Sequence, residues 1–107
     1  MGHDRIRGNL DLLLLSILSA GPAHGYHVIT ALKARSEGEF DLAEGTVYPA
    51  LHGLEAGGLV DSDWQAVEGR RRRVYRLSDA GARELADQTA QWRRFSVAVD
   101  SVIGGLA

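Results

Sequence analysis

The stretch that decides the fold is Glu44-Gly-Thr-Val-Tyr-Pro-Ala-Leu-His-Gly-Leu-Glu-Ala-Gly-Gly-Leu-Val60, followed after a polar gap by Gly69-Arg-Arg-Arg-Arg-Val-Tyr-Arg-Leu77. Val47, Leu51 and Leu54 stand at i, i+4 and i+7, the spacing of one buried helix face. Pro49 lacks an N–H and crowds the turn before it, so the helix is read as starting near residues 44–46. Ala56-Gly-Gly ends it, with Gly57 or Gly58 offering the left-handed conformation that closes many helices. Two short strand-like segments follow, at residues 59–64 and 74–77. Residues 65–73, polar and glycine-containing, read as the loop of a hairpin between them.

Upstream, Asn9 or Asp11 is placed to cap a first helix. Leu10, Leu13, Leu14, Ile17 and Leu18 follow at helical spacing, with Leu12 and Leu15 filling the other side. A helix apolar nearly all round is buried nearly all round, here against its own domain and against a partner. Ser19-Ala-Gly-Pro-Ala stops it. His24-Gly-Tyr opens a second helix whose inward row is read as Tyr26, Ile29 and Leu32, closed around Gly38. Downstream, Ser78 caps a last helix that runs without Gly or Pro from Ala82 to about Ile103. On it Leu85, Gln88, Trp92, Phe95, Val99, Val102 and Leu106 alternate by threes and fours, the seam of a coiled coil. A small core already occupied by three helices has little left to cover such a stripe, so a homodimer is expected, with Leu10 and Leu14 of the first helix joining the contact.

The expected fold is therefore mainly α with a small β-hairpin: a winged helix-turn-helix at residues 1–80 and a dimerisation helix at 81–107, in one folded unit. The chain has 107 residues, the size of one domain, and no cysteine, which excludes disulfides and cysteine-based chemistry. The apolar run at residues 12–15, with Ile17 and Leu18, falls short of the roughly 20 residues a membrane span needs. A cytoplasmic protein without membrane contact is expected. The net charge of −2 is unlike the basic balance of many nucleic-acid binders. The distribution matters more: eleven of the twelve basic residues are Arg, and five of them lie within residues 70–76.

In a winged helix-turn-helix the second helix of the motif enters the major groove of double-stranded DNA. With Val47, Leu51 and Leu54 turned inward, the third helix presents Glu44, Gly45, Thr46, Tyr48, Pro49 and His52 outward. Hydroxyls and first-turn amides suit phosphate or base contacts. Gly69, Arg70, Arg71, Arg72 and Arg73 are read as the wing, reaching phosphate or the minor groove. Strand alternation sends Arg71 and Arg73 one way, Arg70 and Arg72 the other. Four consecutive arginines exceed what protecting a hairpin edge requires.

In combination, Leu14-Leu-Ser-Ile-Leu, His24-Gly-Tyr, Glu44-Gly-Thr-Val-Tyr-Pro-Ala-Leu, Leu54-Glu-Ala-Gly-Gly-Leu-Val, Trp64, Gly69-Arg-Arg-Arg-Arg-Val-Tyr-Arg-Leu-Ser and Gly81 resemble the PadR family of transcriptional regulators, in its compact subgroup with one C-terminal helix. The resemblance implies a homodimeric repressor on a palindromic operator, with the first and last helices making the dimer. It also implies a pocket for a small, flat, hydrophobic or aromatic effector, for which Trp92 and Leu14 are the candidates. Trp92 packing in the seam alone is the other reading. Gly53 stands where the family often has a basic residue, which moves weight to Thr46, Tyr48 and the wing.

Two other classes compete. An enzyme would need His24, His27 and His52 to gather a metal, yet no activated nucleophile or metal-binding motif is present. No catalytic residue, metal or cofactor is assigned. A winged helix used only for protein–protein contact would keep the core and the seam but have no use for the arginine run.

Overall fold

A computed structural model describes residues 8–104; Leu106, the last residue of the expected seam, lies outside them. The elements, in chain order, are α1 (Leu10–Ser19), β1 (Ala23–His24), α2 (Gly25–Arg35), α3 (Glu44–Ala56), β2 (Val60–Val67), β3 (Arg70–Leu77) and α4 (Asp79–Val102). Helices α2 and α3 form the helix-turn-helix and β2–β3 the wing, as the patterning predicts. The sheet has a third strand: two residues before α2 pair antiparallel with the wing, Ala23 against Tyr75 and His24 against Val74, giving the order β1-β3-β2. A two-residue strand carries no periodicity, so nothing local announces it.

The core is one cluster. Leu14, Leu15, Val28, Val47, Leu51, Leu54, Val60 and Tyr75 are each at most 4% exposed. Truncating one such leucine to alanine typically costs 2–5 kcal/mol, roughly a third of a small domain's stability. The inward row of α2 differs from the expectation: Gly25, Val28 and Leu32 are buried, whereas Tyr26 is 54% exposed. The helix starts at Gly25, with His24 as its N-cap, and that start turns Val28 inward and Tyr26 out to solvent.

In α1, Leu10 and Leu14 are core residues, at 8% and 0% exposed. Their expected place on a partner-facing surface is corrected: Leu14 has no surface left to give. Leu12, half-buried, forms the outward edge of that helix, while Leu13 packs partly buried against the core. A helix with leucine at four consecutive positions has no internal mark of its phase, and packing against α2, α3 and α4 sets it.

The wing is also longer than expected. Residues 65–73 are not a loop; β2 and β3 pair without interruption from Val60↔Leu77 to Val67↔Arg70. The turn is Glu68-Gly69 alone, with φ of 54° and 78°. Both positive values suit a two-residue primed turn, whose twist matches the strands it joins. Glu at the first position lacks the Asn or Asp that usually marks such a turn, and four like charges disguise the strand.

The junction between α3, the wing and α4 is tightly buckled. Of the two candidate glycines it is Gly58, φ 78°, that leaves the helix left-handed. The Gly58 amide bonds the Glu55 carbonyl at 3.0 Å and the Leu59 amide bonds that of Leu54 at 2.9 Å, the Schellman pattern. The Leu59 carbonyl in turn accepts from the Ser78 amide at 3.1 Å. Ser78 Oγ caps α4 by accepting from the Gly81 amide at 3.0 Å, and donates to the Gly58 carbonyl at 2.7 Å. Beyond this anchor α4 emerges from the domain. Its 24 residues rise about 36 Å, and of them only Gly81 is buried.

Candidate nucleic-acid interface

Helix α3 leans on the wing through its last turn. Glu55 Oε2 accepts from Ser62 Oγ at 2.6 Å and faces the Arg73 guanidinium at 3.5 Å, while Arg73 Nε donates to Ser62 Oγ at 2.8 Å. The Ser62 hydrogen bond above all, aided by Arg73, holds the Glu55 carboxyl below its ordinary range. Arg73 is thus a strut between helix and wing, its charge met by a carboxylate.

The other arginines divide by strand face, as alternation requires. Arg71 lies on the same face as Arg73, and both guanidiniums sit over the Trp64 indole, at 5.2 and 5.6 Å from the ring centroid. Arg70 and Arg72 start from the opposite face of the strand; Arg70 is exposed at the turn, whereas Arg72 reaches the edge of the α3 groove beside His24. Arg72 is half-buried, and its Nε–H meets no acceptor among the described residues. Arg76 pairs with Asp63 at 3.4 Å. A hydrogen bond from Gln65, then Arg76, holds the Asp63 carboxyl low. Among the described residues, Arg70, Arg71 and Arg72 have no carboxylate partner. Within the wing, these are the cations left for a phosphate.

On α3, Glu44, Gly45, Pro49 and His52 are exposed, Thr46 and Tyr48 half-buried. The His52 ring stacks on Tyr75 of β3, centroids 6.5 Å apart. Tyr48 is packed against the first residue of α2: a Cβ on Gly25 would lie 2.6 Å from Tyr48 Cζ and 2.8 Å from its hydroxyl. Tyr48, His52, Glu55, Trp64, Arg71 and Tyr75 together line a groove of about 500 Å³ between α3 and the wing. The reading of isolated residues missed Trp64, Glu55 and Ser62 as parts of this surface. A signal existed for Trp64: had the wing been read as two paired strands, a period of two would place it on the same face as Arg71 and Arg73.

His24, at the edge of the same groove, has Nδ1 committed to accepting from the His27 amide at 3.2 Å. Burial first, then the Arg72 charge, holds its imidazole below the usual value, which keeps that acceptor unprotonated. The rings of His24 and His27 meet edge-on at 6.1 Å.

The second surface is on α4. Trp92, Phe95, Val99 and Val102 are 45%, 61%, 38% and 85% exposed and form the 3-4-3 row expected of a seam. Leu85, by contrast, packs partly buried on its own protomer's core. Trp92 and Phe95, rings 6.0 Å apart, face α1 across a groove of about 650 Å³. Its opposite wall is Asn9 with Asp11 and Leu12 of α1, so Leu12 occupies the place expected of Leu14. Burial, then the nearby Glu84 charge, raises the Asp11 carboxyl above its ordinary value.

A helix-turn-helix with a basic hairpin packed on its second helix defines a winged-helix protein. More narrowly, the model of the Transcriptional regulator PadR-like family matches residues 14–87, and the chain belongs to that family. Transcriptional regulator Rv3488 of Mycobacterium tuberculosis is 41% identical over 66 residues, 62% of this chain and 59% of that protein. Among solved structures, a PadR family transcriptional regulator from Eggerthella lenta superposes with a TM-score of 0.82 at 32% identity, covering 94% of this chain and 87% of that one. A transcriptional regulator from Clostridium thermocellum superposes with a TM-score of 0.84 at 26% identity, covering 92% and 96%. The protein is thus a transcriptional regulator, and its family membership implies DNA binding. No helix among the described residues is long and apolar enough to cross a membrane.

Proposed function

We propose that this regulator is a cytoplasmic repressor that binds a palindromic operator as a homodimer and is released by a flat hydrophobic or aromatic effector. Residues 1–80 read the DNA and residues 81–107 hold the two copies together. Helix α3 enters the major groove through Glu44, Gly45, Thr46, Tyr48, Pro49 and His52, while Gly69, Arg70, Arg71 and Arg72 hold the adjacent backbone or minor groove. The observation that carries this reading is the convergence of the α3 outer face and two unneutralised arginines on one groove, lined by Tyr48, His52, Arg71 and Arg72. Arg73, the fifth wing residue, joins them while it braces the wing against α3 through Glu55.

The exposed row Trp92, Phe95, Val99, Val102 supports the homodimer, since water-facing aromatic and β-branched side chains in register are what a second copy buries. The groove beside Trp92 supports the effector, its ring and that of Phe95 offering a flat apolar wall. Resemblance to the family supports the repressing sense.

Selection of bound fragments from the source genome tests the core of this reading. The expected product is a set of palindromes with a fixed half-site spacing, bound with an affinity that falls steeply with salt. Flat salt dependence would instead favour a module that contacts only proteins.

A further inference from the structure

We propose that Trp64 is a positioning residue for DNA binding: its indole holds the Arg71 guanidinium over the groove between the wing and α3. The proposal rests on the DNA-binding reading above. In the antiparallel register Trp64 lies opposite Arg73, and Arg71 opposite Ala66, one step diagonal to Trp64. Side chains at alternate positions share a face, so Trp64, Arg71, Arg73, Ser62 and Tyr75 all lie on the α3 side of the wing.

Two guanidiniums over one indole would repel each other if both were bare. Here they are not equivalent. Arg73 is bonded to Ser62 and faces Glu55, so its charge is offset and its side chain fixed. Arg71 is exposed and has no carboxylate partner among the described residues; its guanidinium lies against the Trp64 ring. A guanidinium within about 6 Å of an indole face is attracted to it while keeping its hydrogen-bond donors. The result is an arginine whose side-chain entropy is partly spent before DNA arrives and whose charge stays available. Glu55, Ser62, Arg73, Trp64 and Arg71 form a relay that sets the angle of the last cation from the end of α3.

This division of labour predicts coupling. Binding of the full-length protein to fragmented mixed-sequence double-stranded DNA is measured across a salt series for wild type, Trp64→Leu, Trp64→Phe, Arg71→Gln and the double variant Trp64→Leu/Arg71→Gln. Folding is checked by thermal melting. Trp64→Leu is expected to weaken binding about two- to fivefold, the range of an exposed cation–π contact, and Trp64→Phe to recover most of it. Arg71→Gln is expected to lower the salt slope by about one. The double variant should bind no more weakly than Arg71→Gln alone. Losses that multiply, or a Trp64→Leu variant with wild-type affinity, overturn the positioning role and leave the DNA-binding reading standing. A folded wild-type protein that binds no DNA overturns both.

Discussion

The ring edge of Tyr48, from Cε1 to the hydroxyl, fills the space in which any side chain at Gly25 would begin. Two short sequence signatures, His24-Gly-Tyr and Gly45-Thr-Val-Tyr-Pro, are thereby halves of one contact between the helices of the helix-turn-helix. Gly25 leaves a space empty so that a partly exposed tyrosine on α3 can be held in one place.

Gly25→Ala should therefore act on binding more than on folding. The obstructing atoms belong to the far end of a side chain that can swing, so a stability loss of about 1 kcal/mol is expected, at the low end for overpacking. DNA affinity should fall as Tyr48 leaves its position. In Gly25→Ala/Tyr48→Ala the two losses should be less than additive in denaturant melts and in DNA titrations. Additive losses in both would refute the contact.

Gly81→Ala provides the contrast. A Cβ there lands on the Leu59 carbonyl, a backbone atom pinned by the Schellman closure and by the Ser78 amide. Nothing can rotate away. A loss of about 3 kcal/mol is expected, read as a lower urea midpoint with the slope unchanged.

Gly53 faces open space within α3. Gly53→Ala should raise stability by up to about 1 kcal/mol, the helix-propensity difference. Gly53→Lys should in addition tighten DNA binding and steepen the salt slope by about one, by adding a phosphate contact to α3. An unchanged slope with either sequence-specific or mixed DNA would remove this residue from the interface.

The Glu55 strut carries a pH signature. Its carboxyl titrates below the ordinary glutamate value in the folded chain, because ionised Glu55 accepts from Ser62 and faces Arg73. The folded state binds that proton less readily than the unfolded state. The stabilisation is therefore present above the unfolded value and lost as pH falls through the folded one. Glu55→Gln should flatten the decline of the urea midpoint on acidification from neutral pH. A variant with the same acid profile as wild type would assign that decline to other carboxylates.

Trp92→Glu should abolish the proposed dimer without unfolding the protomer, since Trp92 is 45% exposed and outside the core cluster. Sedimentation and melting curves taken together read this. A dimer that survives the substitution would move the seam elsewhere on α4.

The order of the four helices and the two wing strands, the inward row of α3, the Ser78 cap and the outward row from Trp92 to Val102 on α4 were all determined by the sequence on its own. Each is a local pattern in which neighbours in the chain carry the information: a period of 3.6, a cap, a heptad. The face of α1 that meets solvent was not determined in this way, because leucines at positions 12–15 look alike until packing against α2, α3 and α4 buries Leu14 and leaves Leu12 at the edge. The roles of the four consecutive arginines were not determined either. Alternation separates them into two faces, but only the fold brings Glu55 and Ser62 to Arg73, Trp64 to Arg71, and, among the described residues, no carboxylate to Arg70. Charge is a property of the residue; whether that charge is already answered depends on which elements the tertiary structure places beside it.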